Sequence, residues 1–443
     1  MSNAFLARVR AAFSTTMSRF RIRIFCLTWV AYAGFYLCRK NFSVCMPLLK
    51  EDLGYTTDDF AWILTLYLAM YAVGQFINGY NNDRWGPRII VGTGLLVSVG
   101  VNVGLGLASA LSLFFLFYLV NGLAQSTGWS GTVKNMSGWF RKEERGIVMG
   151  FWCTCYVIGG FVATNYATFW ATNEILFPGL GWRRGFFMPA ATLFVIALLY
   201  ILFTRNRPSD AGLPDFPEED LEAEEAEAAE MSHSQTTWKN TLALMSHSTI
   251  WVAGIAYFFV KLTRYSFLFW LPFFMTEALG YEAHHAGYMS SVYELVGFLG
   301  VIAGGFLSDW FFQSRRFPVS ALMLYGLGVL CLLYPQMSHA GFLWNGIGIG
   351  LIGMMTFGPD ALMSGPAPMD IGGQQGAAVA AGMINGIGSL GSILSPIAVA
   401  QFSKRFGWDS LFYFFVVLAI ISGTLAATKW NFGGNGARKA QAE

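Results

Sequence analysis

Apolar positions along this chain come in long uninterrupted blocks, not with the short period of a half-buried strand or a surface helix. Runs of roughly 20 mainly apolar residues, the length that crosses a hydrocarbon core, recur twelve times, at about 22–48, 59–80, 88–108, 112–135, 147–171, 185–204, 249–276, 286–309, 318–336, 341–363, 377–401 and 409–428. In lipid a helix satisfies its own backbone hydrogen bonds, so the pattern predicts an all-α membrane protein with twelve transmembrane helices. The longest polar interruption, 205–246, contains "PDFPEEDLEAEEAEAAEMSHSQ". Its acidic, alanine-rich composition predicts a solvated linker.

The polar blocks also orient the chain. With the N-terminus inside, the loops on the outer side carry only Lys50, Arg183, Arg184, Lys404 and Arg405, and the other loop cations fall inside. The positive-inside rule then puts both termini in the cytoplasm. The expected organisation is a cytoplasmic segment 1–20, a six-helix bundle 21–205, the acidic linker 206–246, a second six-helix bundle 247–430 and a cytoplasmic tail 431–443.

The two bundles repeat one another. Arg39 and Pro47 recur 225 residues later as Arg264 and Pro272, while Tyr67, Gly79, Asp83 and Trp182 recur 226 residues later as Tyr293, Gly305, Asp309 and Trp408. So constant an offset predicts pseudo-symmetric halves with a site between them near the membrane midplane.

Composition narrows the function. The hydrophobic fraction is 55% and charged residues make up 12%, about half the usual share in soluble domains. A net charge of +2 is too small to suggest a nucleic-acid partner, and none is expected. The six cysteines all fall in apolar segments, and Cys153-Thr-Cys155 is not a metal-site spacing. No metal cluster, nucleophile elbow or phosphate-binding loop is legible, so neither an enzyme nor a cofactor is expected. His284 and His285 fall in an expected outer loop. The first span follows a basic, serine-rich start and is too long for a cleavable leader.

Charge inside the apolar blocks points to function, because an ionisable group at membrane depth costs several kcal/mol and marks a solute path by default. Arg39 and Lys40 stand together in the first span, Lys261 and Arg264 in the seventh, and Glu294 in the eighth. Lys134 and Asp360 lie nearer the cytoplasmic ends of their spans, where snorkelling accounts for them. Pairing Lys40 with Glu294 leaves an excess of buried cations that an incoming anion would neutralise. Two of these are arginines, whose planar forks suit bidentate contact with phosphate oxygens and which do not lose their charge. Tyr32, Tyr36, Tyr67 and Tyr71, with Gln75 one turn beyond Tyr71, are placed to line the same path; the alternative for each tyrosine is packing.

The segment "GYNNDRWGPR", 79–88, resembles the cytoplasmic loop signature of the major facilitator superfamily, with a degenerate copy "GGFLSDWFFQSRR" at 304–316. The resemblance implies a conformational gate built from Gly79, Asp83, Arg84, Arg88 and Asp309, with Gly79 allowing close helix contact. "YLCRKNFSVCMPLL" (36–49), "NGLAQSTGWSG" (121–131), "WRRGFFMPA" (182–190), "TRYSFLFWLP" (263–272) and "FGPDALMSG" (357–365) resemble the organophosphate:phosphate antiporter family over nearly the whole chain. The resemblance implies that Arg39 and Arg264 bind phosphate and that Lys40 and Glu294 form interdomain salt bridges.

The chain departs from the family's bacterial glycerol-phosphate branch at Gln75, Tyr156 and Phe269, where that branch has lysine, histidine and aspartate; the resemblance implies that Gln75 and Tyr156 still face the substrate. Lys261 is a cation that the branch lacks. The expected function is therefore exchange of a phosphate ester for inorganic phosphate by a monomeric carrier in the bilayer, most simply a bacterial inner membrane. The alternatives are a cation-coupled organic-anion symporter, with Glu294 or Asp360 carrying a proton, and a transporter-like sensor of phosphorylated sugars.

Overall fold

The structure, a computed structural model, describes residues 16–140, 148–149, 151–214 and 248–433, without the side chains of 83, 369 and 372–379. The expected acidic linker thus lies outside the described residues from 215 to 246, as do the first fifteen residues and the last ten. Among the described residues twelve α-helices follow one another: α1 Thr16–Leu53, α2 Thr57–Trp85, α3 Pro87–Leu107, α4 Leu111–Trp139, α5 Thr154–Thr172, α6 Arg184–Phe203, α7 Ser248–Glu277, α8 Ala283–Trp310, α9 Arg316–His339, α10 Phe342–Ser364, α11 Pro366–Phe406 and α12 Trp408–Ala427. Eleven are long and apolar enough to cross a membrane. The remaining one, α5, is 19 residues long; of its expected span 147–171, residues 147 and 150 lie outside the described residues.

Two expectations are corrected here. A loop was expected between the tenth and eleventh spans, but α10 ends at Ser364 and α11 begins at Pro366, with Gly365 (φ −112°, ψ −86°) as the only break. Proline is tolerated in the first turn of a helix, where its missing N–H has no partner to lose. The small-residue run behind it, 371–382, continues the helix. His284 and His285 likewise belong to the first turn of α8, not to a loop.

The chain divides into two compact units, residues 1–45 with 66–221, and residues 46–65 with 222–443. The first is cored by aromatic residues: Tyr32 packs against Trp129 at 5.3 Å and Trp152 at 5.6 Å between ring centroids, inside a buried cluster that includes Trp139 and Tyr200. The second has its own aromatic core, with Phe267 on Phe415 at 4.7 Å and Tyr334 on Phe412 at 4.4 Å. Within this unit, Lys50 is ion-paired to Glu277 and Lys404 to Asp58 at 2.8 Å, which ties the end of α1 and the start of α2 to α7 and α11.

The sequence repeat is visible in the packing. In the first unit Gly122 of α4 lies against the Tyr67 carbonyl of α2, so close that a Cβ there would meet it at 2.4 Å; in the second, a Cβ on Gly353 of α10 would meet the Tyr293 carbonyl of α8 at 2.2 Å. Any side chain at either place would drive helix backbones apart. Small residues are how membrane helices come this close when no hydrophobic force pushes them together. Tyr67 and Tyr293 are one of the repeated pairs, so each unit sets the height of that tyrosine by the same contact.

Candidate functional site

The first unit builds its charged centre on a break in α1. The backbone leaves helical geometry at Cys38 (φ −98°, ψ 17°), freeing carbonyls that would otherwise be bonded within the helix. One face of α4 meets them, because positions 118, 121 and 125 share a helix side. Asn121 Nδ2 donates to the Cys38 carbonyl at 2.8 Å and Gln125 Nε2 donates to it at 2.9 Å. Tyr118 donates its hydroxyl to the Arg39 carbonyl at 3.1 Å. A kink in the membrane interior is affordable only when its polar groups are met.

The same glutamine holds the arginine. Arg39, 6% exposed, donates from Nε to Gln125 Oε1 at 2.8 Å, and Tyr67 donates its hydroxyl to that oxygen at 3.0 Å. The guanidinium lies over the rings of Tyr36 (4.6 Å) and Tyr71 (5.1 Å), whose π faces favour a cation. Arg39 Nη2 is buried with no hydrogen-bond partner among the described residues, a costly condition for a charged donor. Of the sequence-expected tyrosines, Tyr36 and Tyr71 are the two whose ring faces meet the cation. Tyr67 acts on it through Gln125, and Tyr32 is packed among aromatic rings. Gln75 and Tyr156 are half-buried, and Tyr156 borders the aromatic core.

The second unit assembles its centre from α7 and α10. Tyr257, Lys261 and Arg264 fall on one face of α7 by their spacing of four and three. Arg264 Nη1 donates to Asp360 Oδ2 at 2.9 Å, and Tyr257 donates its hydroxyl to Asp360 Oδ1 at 3.2 Å. The Arg264 guanidinium also lies 4.7 Å from the ring centre of Phe357, one turn before Asp360. Lys261 Nζ sits 4.9 Å from the Tyr257 ring centre and 3.4 Å from Ser389 Oγ of α11.

Asp360 corrects the sequence reading. It is 4% exposed and does not snorkel, so the excess of unpaired cations expected at membrane depth is smaller by one: Arg264 has a carboxylate partner inside its own unit. Lys40 and Glu294 are both buried.

The loop motifs also take shape. Arg88 donates from Nε to the Ile201 carbonyl at 2.7 Å in the last turn of α6, where carbonyls lack helical partners and a cation suits the helix dipole. Arg84 is exposed and lies over Trp85 at 5.3 Å, and the Asp83 side chain lies outside the described residues. In the second copy Asp309 pairs with Arg316 at 2.7 Å and accepts from Ser314 Oγ at 2.9 Å, and Arg316 reaches Asp370 at 3.4 Å. Among the described residues the close contact expected at Gly79 is not formed, since none lies within 4 Å of a Cβ built on Gly79 or on its repeat Gly305.

Sequence reasoning missed Gln125, Asn121 and Tyr118, although their common face on an apolar helix was readable as a polar stripe. It also missed an exposed grouping at the start of α8, where Glu282, His284 and His285 each bring a ligand-type atom within 4.8 Å of the others.

Residues 25–381 match the family model of the Major Facilitator Superfamily. The chain is 30% identical over 429 residues to the glycerol-3-phosphate transporter of Bacillus subtilis, covering 94% of this chain and 93% of that protein. It is 28% identical over 435 residues to a probable hexose phosphate transport protein of Chlamydia muridarum, covering 95% and 93%. Among solved structures it resembles a bacterial homologue of the human lysosomal transporter Spinster, with a TM-score of 0.75 at 15% identity, over 94% of this chain and 98% of that one.

Proposed function

Because the chain belongs to the Major Facilitator Superfamily and, within it, to the organophosphate:phosphate antiporter family, we propose that it exchanges an organic phosphate ester for inorganic phosphate across the membrane. The two relatives named above are transport proteins, not enzymes, which leaves the buried charge free for binding instead of catalysis. The ester is a sugar phosphate or glycerol-3-phosphate, and the protein works as a monomer in a bacterial inner membrane with both termini in the cytoplasm.

One observation carries this reading. Each unit holds an arginine at the repeated place in its first helix, buried Arg39 and half-buried Arg264, fixed by a polar side chain from its fourth helix: Arg39 by Gln125 and Arg264 by Asp360. Guanidinium groups so placed suit the oxygens of a phosphoryl group. In the cycle we propose, the phosphoryl group engages both arginines, with Tyr36 and Tyr71 beside Arg39 and Lys261 beside Arg264. Lys40 and Glu294 exchange ion-pair partners as the bundles rock, and the loops at Arg88 and Asp309 latch one state.

The test is exchange in vesicles containing only the purified protein. Phosphate-loaded vesicles should take up a labelled phosphate ester, ignore a proton uncoupler and stop when internal phosphate is removed. Arg39→Lys and Arg264→Lys should each abolish exchange while the protein stays folded. Uptake that needs no internal phosphate and collapses with the uncoupler would replace this reading with the symporter. Near-normal exchange in either lysine variant would remove that arginine from the site.

A further inference from the structure

The repeated arginines are held by different chemistry. Arg39 has a neutral amide on Nε, whereas Arg264 has the Asp360 carboxylate at 2.9 Å, which is itself held from its other oxygen by the Tyr257 hydroxyl at 3.2 Å. We propose that Asp360 is an internal counter-anion that competes with the substrate for Arg264, and so makes the carrier select doubly charged phosphates over singly charged anions. This inference rests on the phosphate-exchange reading above and assigns the charge selectivity of that same site.

The physical argument is one of replacement. An anion reaching Arg264 has to displace a carboxylate that already sits at charge-assisted hydrogen-bond distance. Whichever anion arrives, the Asp360 carboxylate loses Arg264, a strongly unfavourable change, and a monoanion offers the guanidinium no more charge in return than Asp360 did. A dianion offers twice the charge, and the second cation of the face, Lys261, lies one turn from Arg264. Its ammonium sits over the Tyr257 ring, so the dianion's second charge has a second cation to meet, and that gain offsets the displacement of Asp360. A neutral residue at 360 would remove the competitor and admit monoanions.

The experiment is binding calorimetry on the full chain in lipid nanodiscs at pH 8, with methyl phosphate and dimethyl phosphate as probes. The first is a dianion there, since the second phosphate pKa is about 6, and the second carries one charge at every pH used. The wild type should prefer methyl phosphate strongly. Asp360→Asn should cut that preference about tenfold, the factor that 1.4 kcal/mol gives, chiefly through tighter dimethyl phosphate binding. Asp360→Glu should keep the wild-type preference.

An unchanged preference in Asp360→Asn, or weaker binding of both probes, would overturn the proposal; the second result would make Asp360 a substrate contact or a brace for Arg264. If Asp360→Asn does not fold, Asp360→Ser gives the same reading, and failure of both to fold overturns the proposal by making the carboxylate a structural necessity. Arg264→Lys separates this inference from the reading beneath it. If the wild type binds neither probe, or the lysine variant binds methyl phosphate as the wild type does, the phosphate site itself is misassigned.

Discussion

Gln125 and Arg39 are joined side chain to side chain, Oε1 accepting from Nε at 2.8 Å, while the amide of the same glutamine donates to the Cys38 carbonyl at 2.9 Å. One residue thus braces the kink in α1 and aims the cation that the kink presents. Glutamine is the residue type that does both, since it offers an acceptor and a donor on one planar group.

Gln125→Ala should therefore loosen the cation and strand the Cys38 carbonyl partly unmet, lowering phosphate affinity roughly tenfold, in line with the 1–3 kcal/mol of an unsatisfied buried polar group. Gln125→Glu should do worse than alanine. Its carboxylate would pair with Arg39 as Asp360 pairs with Arg264, and it has no proton for the Cys38 carbonyl. Binding calorimetry with inorganic phosphate measures both variants. A glutamate variant that binds as tightly as the wild type would show that a neutral partner at Arg39 is not required.

The glycine contacts make a prediction about stability. At Gly353 an added methyl would meet the Tyr293 carbonyl at 2.2 Å, whereas at Gly305 it would meet nothing within 4 Å. Gly353→Ala should lower the melting temperature in detergent, because overpacking a close backbone contact costs about 1–3 kcal/mol. Gly305→Ala should leave it unchanged or raise it slightly, since alanine in a helix is favoured over glycine by roughly 0.5–1 kcal/mol. Equal effects at the two sites would mean that α8 and α10 are not in the register described here.

Much of this architecture is legible in the chain because lipid permits so few solutions. Twenty apolar residues in a row have to be a helix, and a cation among them, such as Arg39 or Arg264, stands out from its background. The rest is hidden for physical reasons. The break at Cys38 has neither proline nor glycine to announce it; it is held open from another helix, by Asn121 and Gln125. Asp360 was misread because it stands one turn from the end of its apolar run, where an acid ordinarily reaches for water. That reading assumed a loop at 364–376. With α11 starting at Pro366, the expected exit to solvent is gone, and the carboxylate turns to Arg264. Gln125 gave no such signal alone, since polar residues in a Gly/Ser/Thr-rich helix mostly serve packing.

In the proposed cycle the loop contacts serve the gate and not the binding site. Arg88 reaches the Ile201 carbonyl at the end of α6 and Asp309 reaches Arg316; both lie within the repeated loop motif. Arg88→Ala and Asp309→Asn should each keep phosphate binding within about twofold, but slow exchange by about tenfold, as loss of about 1.4 kcal/mol from one state of the cycle would produce. Calorimetry and vesicle exchange on the same preparations give the two numbers. A parallel fall in binding would assign these residues to the site and not to the gate.

Lys261 supplies the last prediction, because it bears on how the chain manages without the second-helix lysine of its glycerol-phosphate relatives. Its ammonium lies over the Tyr257 ring and 3.4 Å from Ser389 Oγ, one turn before Arg264, so it adds a second positive charge to that face of α7. Removing it with Lys261→Ala should raise the phosphate concentration for half-maximal exchange about tenfold, the ~1.4 kcal/mol of a charge roughly 12 Å from the anion at an effective dielectric of about 20. If the role of Lys261 is to supply charge, Gln75→Lys in the same protein should restore a good part of that loss, because it returns a lysine to the second helix. If Lys261 instead fits the shape of the ester, Gln75→Lys should leave the loss in place and change which esters are carried. A panel of labelled sugar and glycerol phosphates run against phosphate-loaded vesicles distinguishes the two outcomes. An alanine variant with wild-type exchange for every ester would exclude Lys261 from the site altogether.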